Sequence, residues 1–211
     1  MSDSANSQKF WDELYSSRSS VWTGEPNDHL VKTVSNLSAG TALDVGCGEG
    51  ADAIWLAKHG WHVTAVDISA VVLERAQDHA IQTGDELAKR IKWVRADLTE
   101  SVPTEASYDL VYALFMHIPT AQRDVLFRSL ADLVAPSGSL LIVGHHPSDL
   151  ETSVNRWKMP DLLFTASDVA ALLQPGQWQI IVEAADPRTA KGGDGQAVTI
   201  HDAVLHTLRL H

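Results

Sequence analysis

Five short runs rich in valine, isoleucine and leucine, at residues 42–45, 62–67, 91–97, 108–115 and 139–145, alternate with stretches patterned as helices. Each run has the length and punctuation of a strand buried on both faces. The helical stretches are 51–59, stopping at Gly60, and 71–82, which follows Ser69 as an N-cap and ends at Gly84. A third, 121–134, places Val125, Leu126, Leu130 and Leu133 at helical spacing before the turn Pro136-Ser137-Gly138. Crossovers between parallel strands are right-handed, so this alternation predicts an α/β fold: a doubly wound, mostly parallel sheet with helices on both faces. The ending differs. After a helix near 167–173, the runs 178–184 and 201–210 have no helix between them. The segment 186–199, with Gly192, Gly193 and Gly195, reads as a long hairpin loop, which makes the closing pair antiparallel. Residues 1–40 hold Phe10, Trp11, Tyr15 and Trp22 and are expected to form a helical cap over the carboxyl edge of a 41–211 core. The whole chain, 1–211, is read as one domain.

The 211 residues are 45% hydrophobic and 20% charged, enough for one globular core. The net charge of −11, from 16 basic and 27 acidic side chains, argues against a nucleic-acid partner and is compatible with a cationic ligand. The lone Cys47 excludes a disulfide framework and a cysteine-built zinc site. Residues 1–9 are polar and resemble no signal peptide, and Arg209-Leu210-His211 is no prenylation or retention signal. No apolar run approaches ~18 residues. A cytoplasmic protein with no membrane contact is therefore expected; nothing in the sequence specifies an oligomeric state.

Leu43-Asp44-Val45-Gly46-Cys47-Gly48-Glu49-Gly50 leaves one predicted strand and enters a predicted helix. Glycines there let the backbone turn tightly and approach a ligand without an intervening Cβ. Asp67 ends the next strand, where a carboxylate can grip a ribose diol, and Asp97 ends the one after. Each aspartate alone could be an ordinary turn residue. At consecutive strand ends beside that loop, they mark one ligand-binding edge. Gly46, Gly48 and Ala51 satisfy a dinucleotide fingerprint, but Asp44 would crowd a pyrophosphate and suits a cation.

These motifs, with Val66-Asp67-Ile68-Ser69, Arg95-Ala96-Asp97-Leu98, Tyr108-Asp109-Leu110-Val111 and Leu140-Leu141-Ile142-Val143, resemble those of class I S-adenosylmethionine (SAM)-dependent methyltransferases. The resemblance covers about 43–143 and implies a Rossmann-like seven-stranded sheet of order 3-2-1-4-5-7-6 whose last strand is antiparallel. Phe10-Trp11-Asp12 and Trp22-Thr23-Gly24-Glu25-Pro26-Asn27 resemble the small-molecule branch that includes tellurite-resistance and thiopurine methyltransferases. By that resemblance Asp44 and the loop Gly46, Cys47, Gly48 and Gly50 sit near the methionine moiety of SAM. Asp67 accepts from the ribose, and Ile68 packs on the adenine. Asp97 receives the adenine amino group beside Leu98, while Ala113 and Leu114 line the cofactor's other side. Trp11, Tyr15 and Trp22 close over cofactor or substrate, where a ring face attracts a sulfonium. Cys47 is read as a small loop residue with no chemistry of its own.

Methyl transfer from a sulfonium leaves S-adenosylhomocysteine (SAH), and a neutral hydroxyl or amine acceptor benefits from a general base. His117, His145 and His146 lie just past strand ends and are the candidates. No metal site is expected, since neighbouring strand residues such as His145 and His146 point to opposite faces. Residues 157–164 form either a substrate wall or a hydrophobic seam. The expected activity is methyl transfer by in-line displacement to a small heteroaromatic or phenolic acceptor. The alternatives are an NAD(P)-binding oxidoreductase and a non-catalytic SAM-binding scaffold.

Overall fold

The alternation closes into one sheet. The computed structural model describes residues 8–17, 24–100, 107–154 and 159–211. Its strands are β1 (Thr41–Val45), β2 (His62–Asp67), β3 (Ile91–Arg95), β4 (Tyr108–Leu114), β5 (Val134–His145), β6 (Trp178–Lys191) and β7 (Ala197–Arg209). They are ordered β3-β2-β1-β4-β5-β7-β6. The first five pair in parallel, and β7 runs antiparallel to both β5 and β6. This is the strand order that the resemblance implied.

The helices are α1 (Gln8–Ser16), α2 (Asp28–Val34), α3 (Ala51–Lys58), α4 (Ala70–Thr83), α5 (Asp85–Ala88), α6 (Thr120–Asp132) and α7 (Ala166–Ala170). Strand side chains alternate between faces, and each face has its own core. Leu43, Val111, Leu140, Ile142 and Leu205 pack with Leu126, Phe127 and Leu130 of α6 and Val169 of α7. Ala42, Tyr112, Leu141, Val143 and Val204 pack with Leu30 of α2, Ile54 and Leu56 of α3 and Leu73 of α4. Ser69 caps α4 by accepting the Val72 N–H at 3.3 Å. Gly60, just beyond α3, is left-handed at φ +92°. No helix among the described residues is long and apolar enough to cross a membrane.

Four details differ from the sequence expectation. On α6, Val125 faces solvent, 62% exposed, because Arg123, Leu126, Phe127 and Leu130 form the inward i, i+3, i+4, i+7 stripe. The turn before β5 lies inside the strand. Tyr108 pairs with Val134 and Leu110 with Ser139, so the intervening residues bulge, with Ser137 at φ +62°. β3 stops at Arg95, two residues short of Asp97. Most of the expected 186–199 loop is strand: β6 and β7 pair from Trp178↔Arg209 to Lys191↔Ala197. Pro187 breaks the strand pattern in sequence, yet β6 is an edge strand and can do without that N–H.

Gly144 on β5 backs directly onto the Phe164 ring, where a Cβ has no room. Gly144→Ala is expected to cost about 1–3 kcal/mol through overpacking. Thermal denaturation reads this as a fall of about 2–4 °C per kcal/mol; an unchanged Tm would show that the ring gives way freely.

Candidate active site

Gly46, Gly48 and Gly50 adopt φ of +74°, +53° and +82°, so the loop after β1 is built on left-handed backbone that side chains disfavour. At Gly50 a Cβ would also come within 2.6 Å of the Trp93 ring. The loop is pinned to the end of β2. Gly46 and Cys47 N–H groups donate to the Val66 carbonyl at 2.9 and 3.0 Å. Asp67 accepts the Gly48 N–H on one carboxylate oxygen at 3.0 Å and the Ser69 N–H on the other at 2.9 Å. The Ile68 N–H also favours the ionised carboxyl, and a carboxylate's four acceptor sites still leave capacity for a ligand.

The segments before β1 fold over this edge. The Ser69 hydroxyl donates to Asp12 of α1, and Arg75 of α4 donates to the Tyr15 carbonyl at 2.6 Å. These contacts place Trp11 and Tyr15, rings stacked at 6.0 Å, over the edge. The Asn27 N–H donates to Asp52 Oδ1 at 2.7 Å and holds residues 24–28 against the start of α3.

Between them lies a cavity of about 1060 Å³. The glycine loop, Asp52, Asp67, Ile68, Leu98 and Thr99 line it. Leu114 to Ile118, His145 and Arg188 line it too, and the Met116 side chain lies against Gly46 of the loop. Phe115 leaves β4 in a strained left-handed conformation, φ +54°, and its ring lies 4.8 Å from that of His145. The His117 and His145 rings are 5.4 Å apart.

Of the sequence candidates, Trp11, Tyr15, Gly46, Cys47, Gly48, Gly50, Asp67, Ile68, Leu98, Leu114, His117 and His145 line this cavity. Asp44, Asp97, Ala113 and His146 do not. Asp44 lies in β1 opposite Tyr112, 3% exposed. The buried Tyr112 hydroxyl is the polar neighbour of the Asp44 carboxyl and favours its ionised form, against the effect of burial. The Asp97 carboxylate turns to Thr99, accepting its N–H at 2.9 Å and its hydroxyl at 2.6 Å. Ala113 points into the α6-side core. His146 Nδ1 faces the Ser148 hydroxyl at 2.9 Å, which in turn lies 3.2 Å from His201 Nδ1. Trp22 and Trp157 fall outside the described residues. Leu162, Leu163 and Phe164 are buried and form a seam, with Phe164 edge-on to Phe127 at 5.7 Å.

Sequence reasoning missed Asp52, Glu49, Phe115 and Arg188. An acidic residue in a first helical turn is ordinarily explained by the helix dipole, which hides Asp52. Its neighbours give it another character. Burial pushes the Asp52 carboxyl up to about 6, partly offset by the Asn27 N–H. Burial and the Asp52 charge push Asp44 well above the ordinary carboxylate range, and burial also raises Asp67. Clustered, poorly hydrated carboxylates are relieved by a cation. Glu49, 6% exposed, already has one, Arg75 at 3.5 Å. Among the described residues no group of three or more histidine, cysteine or acidic side chains is arranged to hold a metal ion.

A carboxyl whose pKa is raised by folding favours the protonated native state, so its contribution is intact below the unfolded value near 3.8 and is lost as pH rises through about 6. Asp52→Asn keeps the acceptor for Asn27 and removes the charge. Urea unfolding should find the variant gaining stability relative to wild type as pH rises from about 4 to about 6, with a constant difference below and above that window. Parallel pH profiles would refute the raised Asp52 carboxyl.

Residues 42–138 match a methyltransferase domain family. The chain is 38% identical over 118 residues to an uncharacterized methyltransferase of Mycobacterium bovis, covering 55% of this chain and 56% of that protein. It is 33% identical over 117 residues to a ubiquinone biosynthesis O-methyltransferase of Xylella fastidiosa, covering 54% and 45%. The matched segment thus spans about half the length of these relatives. The structure superposes on TehB from Haemophilus influenzae with a TM-score of 0.71 at 14% identity, over 96% of this chain and 66% of that one. Over residues 42–138 the chain is therefore similar to a methyltransferase domain, and its sheet has the strand order that the class I SAM-dependent methyltransferase resemblance implied.

Proposed function

We propose that the chain binds SAM in the cavity at the carboxyl edge of the sheet and transfers its methyl group to a small phenolic or heteroaromatic acceptor. One observation carries this reading: a single cavity is lined by a left-handed glycine loop, clustered carboxylates, aromatic side chains and two histidines. The carboxylates of Asp52 and Asp67 in the cavity wall suit the sulfonium and ammonium charges of SAM. The cavity is at the upper end of ligand-pocket sizes, ~300–1,000 Å³, which leaves room for an acceptor beside the cofactor. Similarity to an O-methyltransferase supports a hydroxyl acceptor.

When bound, SAM supplies an electrophilic methyl group. In this reading the glycine loop and Asp52 hold its amino-acid portion, Asp67 takes the ribose hydroxyls, and Ile68 and Leu98 flank the adenine. Trp11 and Tyr15 cover the site and exclude water. The chain's main contribution is alignment, which can supply ~7–11 kcal/mol. His117 and His145 stand where an acceptor hydroxyl would lose its proton, and either imidazole can take it. His146 and Asp97, turned to their own neighbours, have no direct part. The cap and the core act as one domain, each contributing walls to the same cavity.

Calorimetry should detect SAH binding in the micromolar range, and Asp67→Ala should weaken it by at least about tenfold, since the carboxylate also organises the loop. No SAH binding by the wild type would sink the proposal. With a phenolic acceptor, replacing the base histidine by glutamine should lower kcat by about 10²–10⁴-fold. A thiolate acceptor needs no base and should lose far less. Equal losses on both acceptors for His117→Gln and His145→Gln would refute the base role.

A further inference from the structure

The acidic cavity also has a cation in its wall. Among the described residues that line it, Arg188 is the one lysine or arginine. It reaches the cavity because β6 continues well past the end of β5. His145, Asp202 and Asp186 pair across β5, β7 and β6 in one row, and Arg188 follows two residues beyond Asp186 on the same face. At ~4.8 Å per strand, the β6 backbone lies about 10 Å from that of His145.

Arg188 is also held in place. Its Nε donates to Asp202 Oδ2 at 2.7 Å, and Asp202 is 2% exposed. His29 Nε2 lies 3.3 Å from the same oxygen. Burial alone would raise the Asp202 carboxyl, but the hydrogen bonds from His29 and Arg188 hold it below its ordinary value. The anchor engages only Nε. The two terminal nitrogens, which form the fork that matches a carboxylate, make no hydrogen bond to the described residues. A chain of net charge −11 disfavours an anionic acceptor unless a fixed cation receives it.

We propose that Arg188 recognises the acceptor through a carboxylate, so the acceptor is a small aromatic acid whose methyl-accepting atom faces His117 and His145. This rests on the methyltransferase reading of the cavity and narrows its substrate class. The hairpin thereby sets specificity, with Asp202 as the residue that positions the guanidinium.

The test is calorimetric titration of the SAH-loaded protein with hydroxybenzoates and the matching neutral hydroxybenzamides. Wild type should bind the acids about 10- to 100-fold more tightly than the amides. Arg188→Gln should bring the acid-to-amide ratio close to one. Arg188→Lys keeps a positive charge beside Asp202, so the fold is supported, and should leave an intermediate ratio because the fork is gone. SAH binding reports that each variant is folded. Equal binding of acids and amides by wild type would overturn the proposal while leaving the cofactor site intact. A preference that survives in Arg188→Gln would overturn it too. Failure of wild type to bind SAH would instead overturn the methyltransferase reading, and this proposal with it.

Discussion

The Asp67 carboxylate is the joint on which the site depends. One oxygen takes the Gly48 N–H and the other takes the Ser69 N–H, tying the loop after β1 to the turn before α4. Ser69 then extends the connection in two directions, capping α4 and donating to Asp12 of α1. Loop, helix and cap are thus registered on a single side chain. Burial opposes its ionisation while the backbone N–H groups favour it. The site holds a carboxylate in a place that water would not choose for it, and the surrounding backbone supplies the compensation.

The same tension recurs around the glycine loop. Alternation along β1 and β2 places Asp44 and Asp67 on the α3 side of the sheet, where Asp52 in the first turn of α3 joins them. Their mutual repulsion and burial raise the cost of an empty, ionised site. The Arg188–Asp202–His29 network holds the opposite charge arrangement at the hairpin: a buried acid anchoring a cation. The cavity wall therefore carries both buried acids and one fixed cation among the described residues.

Much of this was legible in the sequence. The valine- and isoleucine-rich runs and their glycine stops located five strands and three helices to within a few residues. The strand-end positions of the glycine loop and Asp67 placed them on one edge, where the cavity lies, and the family resemblance added Leu98. Asp97 misled because β3 ends early and its carboxylate closes on Thr99 instead. Ala113 misled through pleat parity: one residue along a strand separates the core face from the other. Asp52 and Arg188 had no local signal. One resembles a helix-dipole residue, and the other sits beside Pro187 in a stretch patterned as loop.

By itself the sequence determined the order and class of the elements and the ligand-binding edge, because hydrophobic periodicity and glycine placement act over a few residues. Only the tertiary structure decided which carboxylates become poorly hydrated neighbours, and that a cation on β6 shares a cavity with a histidine just past β4 and another at the end of β5. Such contacts join residues far apart in the chain. Their energies come from burial and from the register between strands, neither of which a linear pattern records.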